Sequence, residues 1–190
     1  MYVYNQNTGD FAVVSSLAVS DSGRLYAAGG EYSGKIPSGE NVFQSSFAEK
    51  DASGRSRDAF ITELDPKDLK IVNSTYYGGS NDDTIYRLKV QDGCVYAAGT
   101  SASADLKVSD NAYQKELATV SADYIDGYVL RLSDSLKNDQ QFAATYIGGN
   151  GREEVHDMDV DKAGNVVLTG HAIASTNYPV TDGSSLGNTY

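Results

Sequence analysis

One segment, STYYGGSNDDTIYRLKVQDGCVYAAG at residues 74–99, returns almost whole as ATYIGGNGREEVHDMDVDKAGNVVLTG at residues 144–170, and in weaker form at residues 4–29. Other landmarks recur in the same order and at nearly the same interval. LYAAGG from Leu25, VYAAGT from Val95 and VVLTGH from Val166 lie 70 and 71 residues apart. RDAFITELD and DGYVLRLSD, whose Asp58 and Asp126 correspond, lie 68 apart, and NVFQ from Asn41 and NAYQ from Asn111 lie 70 apart. A period of this length marks a repeat architecture, in which each unit buries an apolar face only by stacking on its neighbour. The chain divides accordingly into 1–11 (the end of a preceding unit), the whole units 12–79 and 80–149, and a partial unit at 150–190.

Each unit contains four strand-like runs. They fall at 14–20, 24–30, 58–65 and 71–77 in the first unit and at 85–91, 94–100, 126–133 and 142–147 in the second. The third unit shows two, at 155–161 and 165–172, and residues 2–5 read as the fourth strand of a preceding unit. No stretch of ten or more residues keeps apolar groups at helical spacing, so no α-helix is expected. Tyr86, Leu88 and Val90 alternate with Ile85, Arg87 and Lys89, the two-residue period of a strand, and His156, Met158 and Val160 take the equivalent places. The following VYAAG is apolar on both faces and small, which predicts a central strand with a sheet on each side. Ser22-Gly23, Asp92-Gly93 and Ala163-Gly164 predict short hairpins, Gly78-Gly79 and Gly148-Gly149 end fourth strands, and Asp65-Pro66 closes a third strand. Two longer loops, SSFAEKDASGRSR at 45–57 and KELATVSADYI at 115–125, occupy equivalent places but differ in sequence. A rigid repeat with variable loops on one rim is a common way to build a binding surface.

Composition narrows the function classes. The net charge of −11 comes with no visible basic patch, which argues against nucleic-acid binding and leaves solubility or a cation-binding surface as the reading of the acidity. Fourteen Tyr and no Trp suit half-buried strands, with rings packed and hydroxyls in water. The single cysteine, Cys94, excludes an internal disulfide framework or a cysteine metal cluster and reads as a small apolar residue opening a strand. No run of 18 apolar residues is present to cross a membrane as a helix. The opening MYVYNQNTGD has neither the basic nor the apolar region of a signal peptide, so an export signal is expected upstream if the protein is exported.

Candidate chemistry is sparse. Asp157, Asp159 and Asp161 imitate the start of a calcium loop, but Lys162 and Leu168 stand where an EF-hand needs Gly and Glu. They read instead as the polar face of a strand. His156, in register with Tyr86, reads as a packing residue, and His171 stands 15 residues away at a strand end without an H-E-x-x-H pattern. No G-x-S-x-G marks a nucleophile. The adjacent pairs Asp82-Asp83 and Glu153-Glu154 read as solvated turn residues, since a glycosidase needs two carboxyls about 5–9.5 Å apart across the sugar. Gly78 and Gly148 are followed by no Lys-Ser/Thr and form no phosphate loop. The sequon at Asn73-Ser74-Thr75 lies within a strand and is assigned no role. No catalytic residue, metal ligand or cofactor is expected, and the binding residues stay unassigned.

VQDGCVYAAG, NAYQ, DAFITELDP and STYYGGSNDD, in that cyclic order, resemble the bacterial β-propeller repeat family often called SBBP. The resemblance spans residues 7–183, and the third unit departs from it by carrying Arg152-Glu153 in place of Asp82-Asp83. It implies an all-β propeller segment of four-stranded antiparallel blades, two full blades with partial blades flanking them. A ring closes with about 4–8 blades, so the resemblance also implies either a piece of a longer chain or an assembly of several copies. The implied function is a non-catalytic scaffold of an exported or cell-surface bacterial protein, without cofactor, that meets a protein or glycan through its rim loops. Two alternatives are a glycosidase or lyase module with its active site at a channel mouth, and a carbohydrate-binding module that stacks sugars on Tyr124 and other loop aromatics.

Overall fold

The computed structural model describes residues 2–5, 10–48, 56–118, 125–137, 140–175 and 177–179. These residues form strands β1 (Tyr2–Asn5), β2 (Asp10–Val19), β3 (Leu25–Glu31), β4 (Asp58–Leu64), β5 (Ile71–Tyr77), β6 (Asp83–Gln91), β7 (Cys94–Ser101), β8 (Asp126–Ser133), β9 (Ala143–Ile147), β10 (Arg152–Val160) and β11 (Val166–Ile173). All strand pairing is antiparallel between neighbours in sequence, which gives three sheets, β1-β2-β3-β4-β5, β6-β7-β8-β9 and β10-β11. Among the described residues there is no helix, and the protein is all-β as its spacing predicts.

Residues 2–5 behave differently from expectation. They pair with β2, from Tyr2↔Val13 to Asn5↔Asp10, and so extend the first sheet instead of lying apart from it. The free edge of β2 carries unpaired amides and carbonyls, and four extended residues satisfy them.

The sheets stack face to face in chain order. Strand β6 lies against β2, β3 and β4, and β10 against β6, β7 and β8. Between the first two sheets the core holds Tyr26, Ala28, Ile61 and Tyr77 from one side and Ile85, Leu88, Val90, Val95 and Ala97 from the other. Between the second and third it holds Cys94, Tyr96 and Ala98 against Val155, Met158 and Val160. Strand β7 thus sends alternate side chains into two cores, and all eight of its residues are buried. This is the central strand expected from VYAAG.

Strands β2, β6 and β10 each carry a bulge. The register shifts between Val14 and Ser16, between Ile85 and Arg87 and between Val155 and Asp157, leaving Ser15, Tyr86 and His156 as the extra residues. The inserted residue reverses the alternation, so the buried face of β6 is Ile85, Leu88 and Val90, not Tyr86, Leu88 and Val90. The same correction moves Val155 into the core in place of His156. Opposite each bulge stands a glycine, Gly29, Gly99 or Gly170. A Cβ at these positions would drive into the carbonyl oxygen of Val13, Thr84 or Glu154, so the last letter of each xxAAG-type run is set by backbone contact within its own sheet.

The hairpin turns follow their chemistry. Asp92 (φ 50°) and Gly93 (φ 73°) are both left-handed, as a two-residue primed turn requires. The hydroxyls of three buried strand tyrosines, by contrast, are not left in water. Tyr26 donates to Asp134 O (2.9 Å), Tyr77 to Lys107 O (3.0 Å) and Tyr146 to Ser103 O (2.6 Å), so buried strand tyrosines pin the connecting segments. The rings supply apolar area while the phenol donates to a carbonyl of the connecting segment.

Gly99→Ala forces either the bulge or the β6–β7 ladder to open. It is expected to destabilise the protein by about 3 kcal/mol, at the upper end of overpacking costs, measured as a lower midpoint in urea unfolding.

Candidate functional site

The two long loops leave the body of the protein at equivalent places, and each is rooted by the same set of side chains. Gln44 N donates to Thr75 Oγ1 (2.9 Å) while its side-chain Oε1 accepts from Gly78 N (3.2 Å). One repeat later Gln114 N donates to Thr145 Oγ1 (2.9 Å) and Gln114 Oε1 accepts from Gly148 N (2.9 Å). Asp58 Oδ2 accepts from Ala48 N (2.7 Å), and Asp126 Oδ2 accepts from Ala118 N (3.0 Å) and Gln114 Nε2 (2.8 Å). A Cβ on Gly78 or Gly148 would collide with the Asp58 or Asp126 carboxylate. The glutamine of each N-x-x-Q, the aspartate of D-A-F and D-G-Y and the first glycine of each G-G pair therefore form one joint.

The loop tips themselves, 49–55 and 119–124, lie outside the described residues, and with them Tyr124. The expected binding surface is represented here by its roots.

Next to these joints lies a second layer of carboxyls. Asp83, first residue of β6, is fully buried and accepts from Gly79 N (2.8 Å) and Ser103 Oγ (2.7 Å), while its Oδ1 has no partner. Its counterpart Glu153 is also buried, with neither oxygen partnered. Both residues donate their main-chain N–H across to the preceding sheet, Asp83 to Arg57 O (2.6 Å) and Glu153 to Ile125 O (2.8 Å). The expectation of solvated turn residues fails for these two. The strands begin at or before them, and their amides are needed to link one sheet to the next. Asp82 and Glu154, the other halves of the pairs, remain partly exposed.

Burial pushes the Asp83 carboxyl up to about 8, against the hydrogen bonds it accepts, and pushes Asp58 and Asp126 up to about 6. Asp83 is thus held protonated at neutral pH, yet it is enclosed, so its chemistry is anchorage.

A different group of side chains meets at the far end of the stack. Glu154 and His171 are direct partners across β10 and β11, and His156 is the extra residue of the β10 bulge. His156 Nε2 and His171 Nδ1 lie 2.9 Å apart, with one ring donating N–H to the other, and the rings meet edge to face. Glu154 Oε2 lies 4.0 Å from His156 Nε2, and Glu154 Oε1 accepts from Arg152 Nε (2.9 Å). Because Val155 and Gly170 face the second sheet, strand alternation turns Glu154 and His171 to the opposite face.

No family model matches the chain, and no curated protein matches it.

The acidic series, the histidines and Cys94 singled out in the sequence now have a place. The Asp157, Asp159 and Asp161 series is not a calcium loop: Asp157 pairs with Arg87 (2.8 Å), Asp159 with Lys89, and Asp161 accepts from the amides of Ala163 (2.8 Å) and Asn165 (2.9 Å) to close the β10–β11 turn. Gln91 Nε2 reaches Asp161 O (2.8 Å). Arg87, Lys89 and Gln91 are the repeat counterparts of Asp157, Asp159 and Asp161, so facing sheets touch at equivalent positions. His156 is not the packing residue expected from its alignment with Tyr86, because the bulge carries it out of the core. Its meeting with His171 was hidden by the 15-residue separation, and the hairpin turn at 161–165 between them was the available signal. Cys94 is buried as expected.

The buried carboxyls make stability depend on pH. Asp83 binds its proton more tightly folded, near 8, than unfolded, near 3.8, so between those values the native state holds more protons than the unfolded state. Its contribution is complete below pH 4 and lost as the pH rises through 8, with Asp58 and Asp126 adding to the loss through 6. Urea midpoints are expected to fall from pH 5 to pH 8.5, and Asp83→Asn to flatten the upper part of that decline.

Proposed function

We propose that this chain is a segment of a radial β-propeller of the bacterial repeat type it resembles, and that it serves as a non-catalytic scaffold presenting the 45–57 and 115–125 loops to a protein or glycan ligand outside the cytoplasm. The supporting observation is that both outer faces are built to be covered. Leu88 and Val90 are 9% exposed against the first sheet, whereas their counterparts Leu17 and Val19, on the face with no sheet before it, are 72% and 61% exposed. At the other end Tyr113 is 72% exposed, while its counterpart Phe43 packs on Phe142 (4.9 Å between ring centres) and Tyr77 (5.8 Å).

Units that touch at equivalent positions with a constant offset make head-to-tail contacts, which close into a ring when the rotation per unit allows. About 4–8 four-stranded sheets close such rings. In this reading the apolar outer faces receive further units of the same kind, from the same polypeptide or from other copies. The polar side chains at the loop roots hold backbone in place, which suits presentation of a surface. The carboxyls nearest the rim are enclosed, which favours a scaffold over a glycosidase or lyase.

Two measurements test this reading. Sedimentation of the 190-residue chain is expected to show concentration-dependent self-association through its complementary faces, and electron-microscopy class averages of the closed assembly are expected to show rings. A chain that stays monomeric at high concentration contradicts it. Turnover of glycosides by the purified protein would replace the scaffold reading with the enzyme alternative, and retention on a glycan array would identify the ligand class.

A further inference from the structure

Glu154, His156 and His171 serve neither a core nor a loop root, yet they converge. Their ligand-type atoms, one from each residue, all lie within 4.8 Å of one another. From this convergence we propose that they form a binding site for a divalent transition-metal cation, with zinc the best match.

The donor set is two imidazoles and one carboxylate. It is the set of open zinc sites, in which three protein ligands leave a fourth position for water or another group. Calcium and magnesium prefer oxygen ligands, so the two nitrogens select against them. Geometry is close to what zinc needs. Bonds of about 2.0–2.1 Å at tetrahedral angles place ligand atoms about 3.3 Å apart. The histidine nitrogens, at 2.9 Å, have to part slightly, and Glu154, whose Oε2 lies 4.0 Å from His156 Nε2 in a set that spans up to 4.8 Å, has to close by about 1–1.5 Å to reach the spacing that zinc bond lengths set. Side-chain rotation supplies both movements, since the two histidines are exposed. For both facing nitrogens to act as ligands, the N–H now shared between the rings moves to the far nitrogen of its own imidazole, a tautomer change without change of charge.

Two further observations favour the site. Arg152 holds Glu154 Oε1 through Nε (2.9 Å) and Nη2 (2.8 Å), which leaves Oε2 turned toward His156. Outer partners of this kind orient metal-binding carboxylates. The other units also provide an internal comparison. Counterparts of Glu154, His156 and His171 are Thr84, Tyr86 and Thr100 in the second unit and Val13, Ser15 and Gly30 in the first. Only the third unit has ligating groups at these positions, and it has them at all three. The bulge is what brings them together, because it turns the extra residue of β10 to the side of its cross-strand neighbours.

The test is calorimetric titration of the metal-free 190-residue chain with zinc chloride, alongside thermal unfolding. One site per chain is expected, with calcium in equal amount failing to compete and affinity falling on acidification as protons compete for the imidazoles. His156→Ala and His171→Ala are each expected to weaken zinc binding at least tenfold, Glu154→Gln less, and all three to unfold at the wild-type temperature without metal. Cobalt(II) is expected to give the visible absorption of a tetrahedral site in the wild type only. Equal zinc affinity in the wild type and the His156→Ala/His171→Ala double variant, or displacement of zinc by calcium, would overturn the proposal, leaving only general attraction of cations to an acidic surface.

Discussion

The contact of a glycine with the carbonyl across the bulge of β2, β6 or β10 sets how closely neighbouring strands approach in each sheet. At Gly29, Gly99 and Gly170, strands β3, β7 and β11 come so close to β2, β6 and β10 that no side chain fits between them. The bulged residue then leaves the ladder. In the first sheet it is spent at once on the neighbour: Ser15 Oγ donates to Ile85 O, and the next residue, Ser16, accepts from Leu88 N (2.9 Å). A regular ladder would bury its polar groups inside its own sheet. Displacing one residue frees groups to bond to the next sheet, and the local rise in twist that accompanies a bulge suits sheets that stack at an angle. The small residues of β7, buried on both sides, let two cores approach one strand.

Polar groups complete the stack. Each new sheet opens with a main-chain bond to the previous one, from Asp83 N to Arg57 O and from Glu153 N to Ile125 O. That bond requires these residues to enter the interior, and their carboxyls go with them. Asp83 is satisfied in part by Gly79 and Ser103 and keeps its proton, which removes the cost of a buried charge. The rise in its pKa follows from using the amide of an acidic residue as a structural link.

Much of this architecture was legible in the sequence, and the reasons are specific. The strands, the Asp92-Gly93 turn and the two-sided burial of VYAAG follow from local rules of period, left-handed backbone and residue size, and those rules act within a few residues. The bulges were not legible, because an inserted residue leaves the composition of a strand unchanged and alters only its phase. That single omission accounts for the misplacement of Tyr86 and His156 on the core face, where Ile85 and Val155 stand. The buried state of Asp83 and Glu153 was hidden for another reason: adjacent acids beside glycines have the composition of a turn, and only the inter-sheet amide bonds show why they go inside. The approach of His156 to His171 required both the hairpin register and the bulge.

The ladder of Arg87, Lys89 and Gln91 against Asp157, Asp159 and the Asp161 carbonyl shows how a difference between units serves the stack. Head-to-tail stacking places a position in one sheet against the same position in the next, so an exact copy would set arginine against arginine and lysine against lysine. Such like-charge contacts oppose stacking, and the sequence avoids them by reversing the charge from one unit to the next. The hydroxyl of Ser16, which faces the backbone of Leu88 in the preceding interface, is the neutral solution to the same problem. Divergence between units at these positions therefore favours the packing, by the modest amount that exposed ion pairs supply. It also favours this order, because β10, which offers Asp157 and Asp159, suits a neighbour that offers Arg87 and Lys89. The charges along β6 and β10 thus complement one another, while the apolar cores of the two interfaces supply the attraction.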